Sequence, residues 1–330
     1  MARNVAFAAI GLAALVCGSL SISEAAAQQR WPTKPIRIYT STPGGPYDVI
    51  MRGMSVPLGQ ALGQPIIIEN RTGGSFIPLA DACAHAVPDG HTLCTSDSFA
   101  QSLNPLLFSR LPYDPDKDFT PIIFIGALNS GVLVNADLPV KNIQDLLAQA
   151  KAKPGRFSFA TAGPASNSNL YVEYLRKEKG ISFLNVPYKS FPQGMSAAIA
   201  GEVNIAMFAI GQALAQAKNG KVRVIAVSSP QRSIFAPDIP TLSEAGVDVA
   251  INTWIGMMGP AGIPRETVMR LNSEFKKLLA DKALMEKFVM GQGFEPTPPS
   301  GGSPEELAAF IKADQANYAR VVKIVGLKPE

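Results

Sequence analysis

Short runs rich in β-branched residues alternate with helix-period stretches along most of this 330-residue chain. The runs at 36–39, 66–68, 92–95 and 122–125 are short, apolar and bounded by Gly, Pro or Asn, so they read as buried strands. Between them, 49–62 and 79–86 read as helices, with Gly53 and Pro57 expected to kink or shorten the first. A second set follows, with strands at 131–134, 157–160, 183–186, 205–208 and 222–227 and helices at 143–151, 169–179, 195–200 and 212–218. This pattern calls for layered α/β architecture.

A third stretch differs: one strand at 251–258, then helices at 265–280, 283–291 and 305–325. It has too few strands for a sheet of its own. The economical arrangement returns it to the first set, so that 28–128 plus 251–330 form one lobe and 129–250 the other. The chain then crosses twice, near 126–130 and 250–253, and paired crossings make a hinge.

With 47% hydrophobic and 17% charged residues the chain can bury cores, which excludes wholesale disorder. Its 30 basic and 26 acidic residues leave +4, with no basic stripe for nucleic acid. Residues 1–27 read as an export signal: Arg3, an apolar run over 5–20, then Ala25, Ala26 and Ala27, with cleavage expected before Gln28. The competing reading, a membrane anchor, wants about 20 apolar residues, and this run is shorter. Lipid on Cys17 is a lesser alternative, because Val16 precedes it where a small residue belongs.

Removal of that segment leaves Cys83 and Cys94. Two readings stand for them, a disulfide or two buried small hydrophobes, since spacing alone does not fix the geometry. His85 and His91 are the only histidines and no Cys/His metal spacing occurs, so neither metal nor cofactor is expected. The motifs GxSxG, GxxxxGK[ST], HExxH and GxGxxG after a strand are all missing. The chain is therefore read as a non-enzyme.

One local device occurs three times: strand, Gly/Ser/Thr-rich turn, helix start. It is found at 40–45, 70–75 and 161–166, and it points backbone N–H groups and a helix's positive end at an anion. Asp48 beside the first turn reads as an acceptor for loop amides or, more sharply, as a water-mediated ligand contact. Arg71 and Lys189 are the nearest bases.

The spaced motifs then fall together. Trp31-Pro-Thr-Lys-Pro-Ile-Arg-Ile38, Pro43-Gly-Gly-x-x-Asp48-x-x-x-Arg52, Leu62-Gly-Gln-Pro-x-x-x-Glu-Asn-Arg71, Pro88-Asp-Gly-x-Thr-Leu93, Asn104-Pro, Leu111-Pro-Tyr-Asp-Pro-x-Lys-Asp-Phe119, Val186-Pro-Tyr-Lys189, Pro237-Asp-Ile-Pro-Thr-Leu-x-Glu-Ala-Gly246 and Gly259-Pro-Ala-Gly262 resemble the Bug-type substrate-binding proteins of tripartite tricarboxylate transporters. The resemblance spans nearly the whole chain after residue 27. It implies a two-lobed periplasmic-binding-protein fold, type II-like, with two crossover segments as its hinge. It further implies a periplasmic, monomeric receptor that closes on a small carboxylate and delivers it to a membrane permease.

Carried over by position, the cleft is expected to be lined by Pro43, Gly44, Gly45, Asp48, Gly74, Ser75, Phe76, Ser96, Phe99, Gly163, Ser166, Asn169, Lys189, Phe191 and Ala209. The departures from the family pattern matter as much. Ser75 and Phe76 stand where glycines are common, Phe99 where glycine is frequent, Phe191 where a small residue is usual, Asn169 where histidine is frequent and Ala209 where an acid is often seen. Loss of that acid disfavours an amino-acid ligand, and three rings suggest an aromatic or otherwise apolar carboxylate. The competing idea is that the rings pack against neighbouring loops. A sensor of the same fold with a membrane signalling partner, and an exported hydrolase using His85 or His91, are the alternative functions.

Overall fold

A computed structural model describes residues 31–163, 166–189, 191–249 and 251–329; the expected export signal lies outside the described residues. Two sheets carry the fold. The first holds β1 (Ile36–Thr40), β2 (Ile66–Asn70), β3 (Thr92–Asp97), β4 (Phe119–Leu128), β10 (Thr253–Pro260) and β11 (Phe294–Glu295). Its spatial order is β11-β4-β10-β3-β1-β2, with β1, β2 and β3 mutually parallel and β10 antiparallel to both β3 and β4. The second holds β5 (Ser130–Asn135), β6 (Ser158–Thr161), β7 (Leu184–Pro187), β8 (Ile205–Ala209) and β9 (Val222–Val227) in the order β7-β6-β8-β5-β9.

Nearly every strand expected from the alternation is present within a few residues, because each apolar run has a sheet interior to enter. Helix α1 (Pro46–Leu62) is the exception to the helix readings: it runs unbroken through Gly53 and Pro57 and begins earlier than expected. An interior proline costs about 3 kcal/mol. Against that, α1 buries Tyr47, Ile50, Met51, Met54, Leu58 and Leu62, at roughly 1.5–3 kcal/mol for each large aliphatic side chain. Burial wins. Gly53 serves packing rather than bending, since a Cβ there would stand 2.3 Å from the Phe288 ring.

Helix α2 (Ile77–Ala84) follows β2, and a π-turn (Phe99–Leu103) runs into the short α3 (Asn104–Leu107) after β3. Cys83 on α2 and Cys94 on β3 form a disulfide, which settles the two readings of this pair. Around the second sheet lie α4 (Ile143–Ala152), α5 (Asn167–Lys179), α6 (Phe191–Ala200) and α7 (Ile210–Ala217). The tail adds α8 (Arg265–Ala280), the single turn α9 (Lys282–Leu284) with a π-turn after it, and α10 (Pro304–Val325). Asn142, Ser166, Asp281 and Ser303 each cap a helix start with a side-chain oxygen, Ser303 in a reciprocal box with Glu306.

Two segments link the sheets, β4 into β5 and β9 into β10. They are tied side by side: the Ser130 amide donates to Ser228 Oγ at 2.9 Å, and that hydroxyl donates to Asn252 Oδ1 at 2.6 Å. Glu295, fully buried on β11, accepts from the Asn129 amide, the Ser233 hydroxyl and the Ile234 N–H, each at 2.9 Å. One carboxylate thus fastens the first sheet to both linkers.

Helix α10 is shared. Its first half places Leu307 and Ile311 against Phe124 and Trp254 of the first sheet. Its second half places Tyr318, Val321, Val322 and Val325 in the core with Leu170, Tyr171, Tyr174 and Leu175 of α5. Residues 318–325 therefore share the second sheet's core, although the sequence grouped all of 251–330 with the first lobe. Lys177 donates to the Val325 carbonyl and Tyr318 to Asn167 Oδ1, holding that end in place.

Candidate functional site

In the first sheet, β1, β2 and β3 run parallel, so the turns after them emerge along one carboxyl edge. That edge adjoins the linkers, because Asp97 at the end of β3 pairs with Ile255, two residues into β10. In the second sheet β6, β7 and β8 are also mutually parallel, and Ala209 at the end of β8 pairs with Ser130 at the start of β5. Both carboxyl edges therefore abut the same linkers. This is where ligands of open α/β sheets bind, and the loops expected from sequence to line the cleft all emerge here.

Asp48, buried on the first turn of α1, is a clamp. Its carboxylate accepts from the Gly44 N–H at 2.9 Å, Arg52 Nε at 2.9 Å and Asn70 Nδ2 at 2.8 Å. Burial alone would raise its pKa, but the Arg52 hydrogen bond, the Gly44 amide, Asn70 and the Arg52 charge together hold it below the ordinary value. Asn70 also donates to the Ser41 carbonyl at 2.7 Å, locking the turns after β1 and β2 together. The structure thus gives Asp48 the loop-amide role. Gly44 N–H goes to Asp48 and Gly45 N–H to the Thr42 carbonyl at 3.0 Å, so these two amides are engaged within the loop rather than offered to an anion. Pro43 and Gly44 are exposed, and Gly44, at φ +71°, takes the left-handed turn that glycine permits.

The next turn carries the sharpest backbone feature. Ser75 (φ 55°) and Phe76 (φ 60°) are consecutive left-handed residues, the only non-glycine positive-φ residues among those described. Each such residue costs about 1–2 kcal/mol. Asn104 holds the turn by donating to the Ser75 carbonyl at 2.7 Å. The turn aims Phe76 between two rings, Tyr47 at 5.3 Å and Phe99 at 6.1 Å, both stacked. Phe76 and Phe99 are half-buried, so part of this ring column stays open at the edge. Phe76 and Phe99 pack on each other's loops, and each keeps part of its ring surface exposed. Gly74 is exposed just before them, while Ser96 is buried and accepts from Gln101 Nε2 at 3.0 Å.

Across the linkers, Ser166 caps α5: its hydroxyl accepts from the Asn169 and Ala162 amides and donates to the Gly163 carbonyl at 2.7 Å. Asn169, nearly buried, accepts from Asn185 Nδ2 at 2.6 Å, and Asn185 in turn accepts from the Thr161 hydroxyl. Lys189 is exposed and its N–H donates to Gln193 Oε1 at 3.2 Å. Phe191 opens α6; its side chain lies outside the described residues. Arg71 is engaged away from the edge, with Glu69 at 3.3 Å and over the Tyr39 ring at 4.6 Å. Tyr47, Asn70, Asn104 and Asn185 were missed by the sequence reading; Asn70 and Asn104 stand in quoted motifs, but nothing local marks their partners.

Beneath the edge, Asp97 is fully buried and accepts from the Ala100 amide at 2.9 Å and the Tyr47 hydroxyl at 3.2 Å. Burial dominates and pushes its carboxyl up to about 7. His91, by contrast, precedes β3 at the opposite end of the sheet, with Nε2 accepting from the Thr33 amide at 3.1 Å. Among the described residues no group of three or more His, Cys, Asp or Glu is placed to hold a metal, and no helix is long and apolar enough to cross a membrane.

Comparisons with known proteins converge. The profile of the family described as "Tripartite tricarboxylate transporter family receptor" matches residues 50–327. A UPF0065 protein of Bordetella bronchiseptica is 34% identical over 312 residues, covering 94% of this chain and 91% of that one. BugT of Bordetella pertussis is 29% identical over 90% of this chain and 91% of its own. A Rhodopseudomonas palustris protein solved with adipate superposes with a TM-score of 0.74 at 28% identity, covering 91% of this chain and 100% of that one. MatC of the same organism, with bound malate, gives 0.69 at 27% identity over 88% and 100%.

Proposed function

Because the chain belongs to the tripartite tricarboxylate transporter receptor family, we propose that it is a periplasmic receptor that closes two lobes on a small carboxylate and hands it to a membrane permease. The observation that carries this reading is the meeting of both carboxyl edges at the linkers. It sets the starts of α1 and α5, whose macrodipoles favour anions, at one cleft. The bodies that move are 28–128 plus 251–330 against 129–250, with α10 sliding or bending between them. Carboxylate binding shifts the population toward closure. The lining is that expected from sequence: the turns at Pro43–Gly45 and Gly74–Phe76, with Phe99, Gly163, Ser166, Asn169, Lys189, Phe191 and Ala209. Asp48 and Ser96 support it from beneath. The receptor acts as a monomer, without metal or cofactor, and does no chemistry on its ligand.

The ligand's polar end is a carboxylate, as in the adipate- and malate-bound relatives. Its body is apolar and preferably aromatic, because Phe76 and Phe99 turn the first lobe's edge into ring surface. A thermal-shift panel on residues 28–330 tests both levels with adipate, malate, citrate, glutamate, benzoate and phthalate. Ligand at a hundred times its dissociation constant stabilises by about 2.7 kcal/mol. A shift from benzoate or phthalate above that from adipate is expected. Shifts confined to aliphatic acids discard the aromatic preference and keep the receptor, and silence across the panel discards the carboxylate reading.

A further inference from the structure

A cavity lies where the linkers, β10 and α10 meet. It encloses about 340 Å³, within the ~300–1,000 Å³ of small-molecule pockets. Its walls include Trp254 of the first sheet, Ser229 and Asn252 of the second linker, and Phe310, Ala313 and Asp314 of α10. The α10 residues form one stripe at helical spacing. Gln315 and Tyr318, further round the helix, reach the Gln101 carbonyl and Asn167. None of the residues expected to line the cleft is among those that line this cavity.

The chemistry of the walls is unlike that of a carboxylate site. Among the described residues no Lys, Arg or His lines the cavity, and the single charged one is Asp314. The Ser102 hydroxyl and the Trp254 indole N–H, the latter at 2.9 Å, both donate to one oxygen of that carboxylate, Oδ2. Burial raises its pKa to about 6 against those two bonds, which leaves it ionised at neutral pH. Ser229 is 2% exposed and its buried hydroxyl has no hydrogen-bond partner. A buried hydroxyl left alone costs free energy that a bound polar group would recover. Phe310 is half-buried and offers ring surface to the cavity, whereas Trp254, 1% exposed and packed on Phe124 and Phe310, backs it.

We propose that this hinge cavity is a second binding site, for a compact organic amine whose ammonium pairs with Asp314 and whose apolar body rests on Phe310. Benzylamine is the probe, with benzyl alcohol and benzoate as controls of the same body carrying no charge and the opposite charge. By calorimetry on residues 28–330, benzylamine binds saturably and at least about tenfold more tightly than either control, the margin expected of a charge-assisted pair. Asp314→Asn keeps an acceptor for Ser102 and Trp254 and weakens benzylamine by a similar factor. Ala313→Trp, at an exposed position of the cavity wall, fills the cavity without touching the buried hydrogen bonds and abolishes binding. Equal binding of benzyl alcohol, absence of saturable benzylamine binding, or unchanged affinity in folded Ala313→Trp overturns the assignment.

Discussion

Asn104 and Ser75 are joined by a 2.7 Å hydrogen bond that spans 29 positions of sequence and holds a left-handed turn in place. Removing the donor leaves the strained turn without its anchor. Asn104→Ala should cost about 1–3 kcal/mol in denaturant unfolding and weaken carboxylate binding, since Phe76 leaves its place between Tyr47 and Phe99. Ser75→Gly should do the reverse for stability and add up to about 1 kcal/mol, because glycine adopts that backbone without strain. Equal stability of the native chain and Ser75→Gly would show that the turn is unstrained.

The Cys83–Cys94 bridge closes a short loop that joins α2 to β3. Chain-entropy arithmetic for a loop of this size gives about 3 kcal/mol. The double change Cys83→Ala, Cys94→Ala should lower the unfolding free energy by that order, and reductant should destabilise the native chain while leaving the double variant unmoved. Free thiols titrating in the folded, unreduced protein would contradict the bridge.

Two buried carboxyls give stability opposite pH dependences. Asp97, raised to about 7, binds a proton in the folded state that the unfolded chain releases near 3.8. Its contribution is full below about pH 4 and is lost as pH rises toward 7. Asp48 is depressed below 3.8, so its contribution is present at neutral pH and lost as pH falls through that range. In unfolding curves collected from pH 4 to 8, Asp97→Asn should lessen the decline between 4 and 7, leaving the smaller part below about 6 that belongs to Asp314, itself raised to about 6. A profile in Asp97→Asn as steep as the native one would assign the decline to another group.

Glu295 receives three donors from the two linkers, so replacing one oxygen by an amide sets donor against donor. Glu295→Gln should cost about 1–3 kcal/mol and loosen the hinge. Fluorophores on the exposed residues Lys141 and Lys276, changed to Cys in a background with Cys83 and Cys94 replaced by Ala, would report a broader distance distribution between the lobes. An unchanged distribution would mean that Glu295 serves folding and not lobe motion.

Strands and helices were legible because period and apolar content are local: each run such as 222–227 carries its own evidence. The pieces of the site were legible as turns, and their common edge followed from a parallel topology. The contacts that define the site's shape were not. Nothing near Ser75 announces Asn104, nothing near Phe76 announces Tyr47, and Asp48 shows its clamp role only once Asn70 is brought beside it. The spacing of Cys83 and Cys94 left two outcomes open because pairing depends on where α2 packs on β3. The helix over 305–325 was legible, but the partner of its last turns, α5, is more than 140 residues away.

That last helix bears on how the protein folds. Leu307 and Ile311 finish one core, and Tyr318, Val321, Val322 and Val325 finish the other. Neither lobe has its full apolar burial until α10 has docked. The completion of one half is thereby tied to that of the other through a single element.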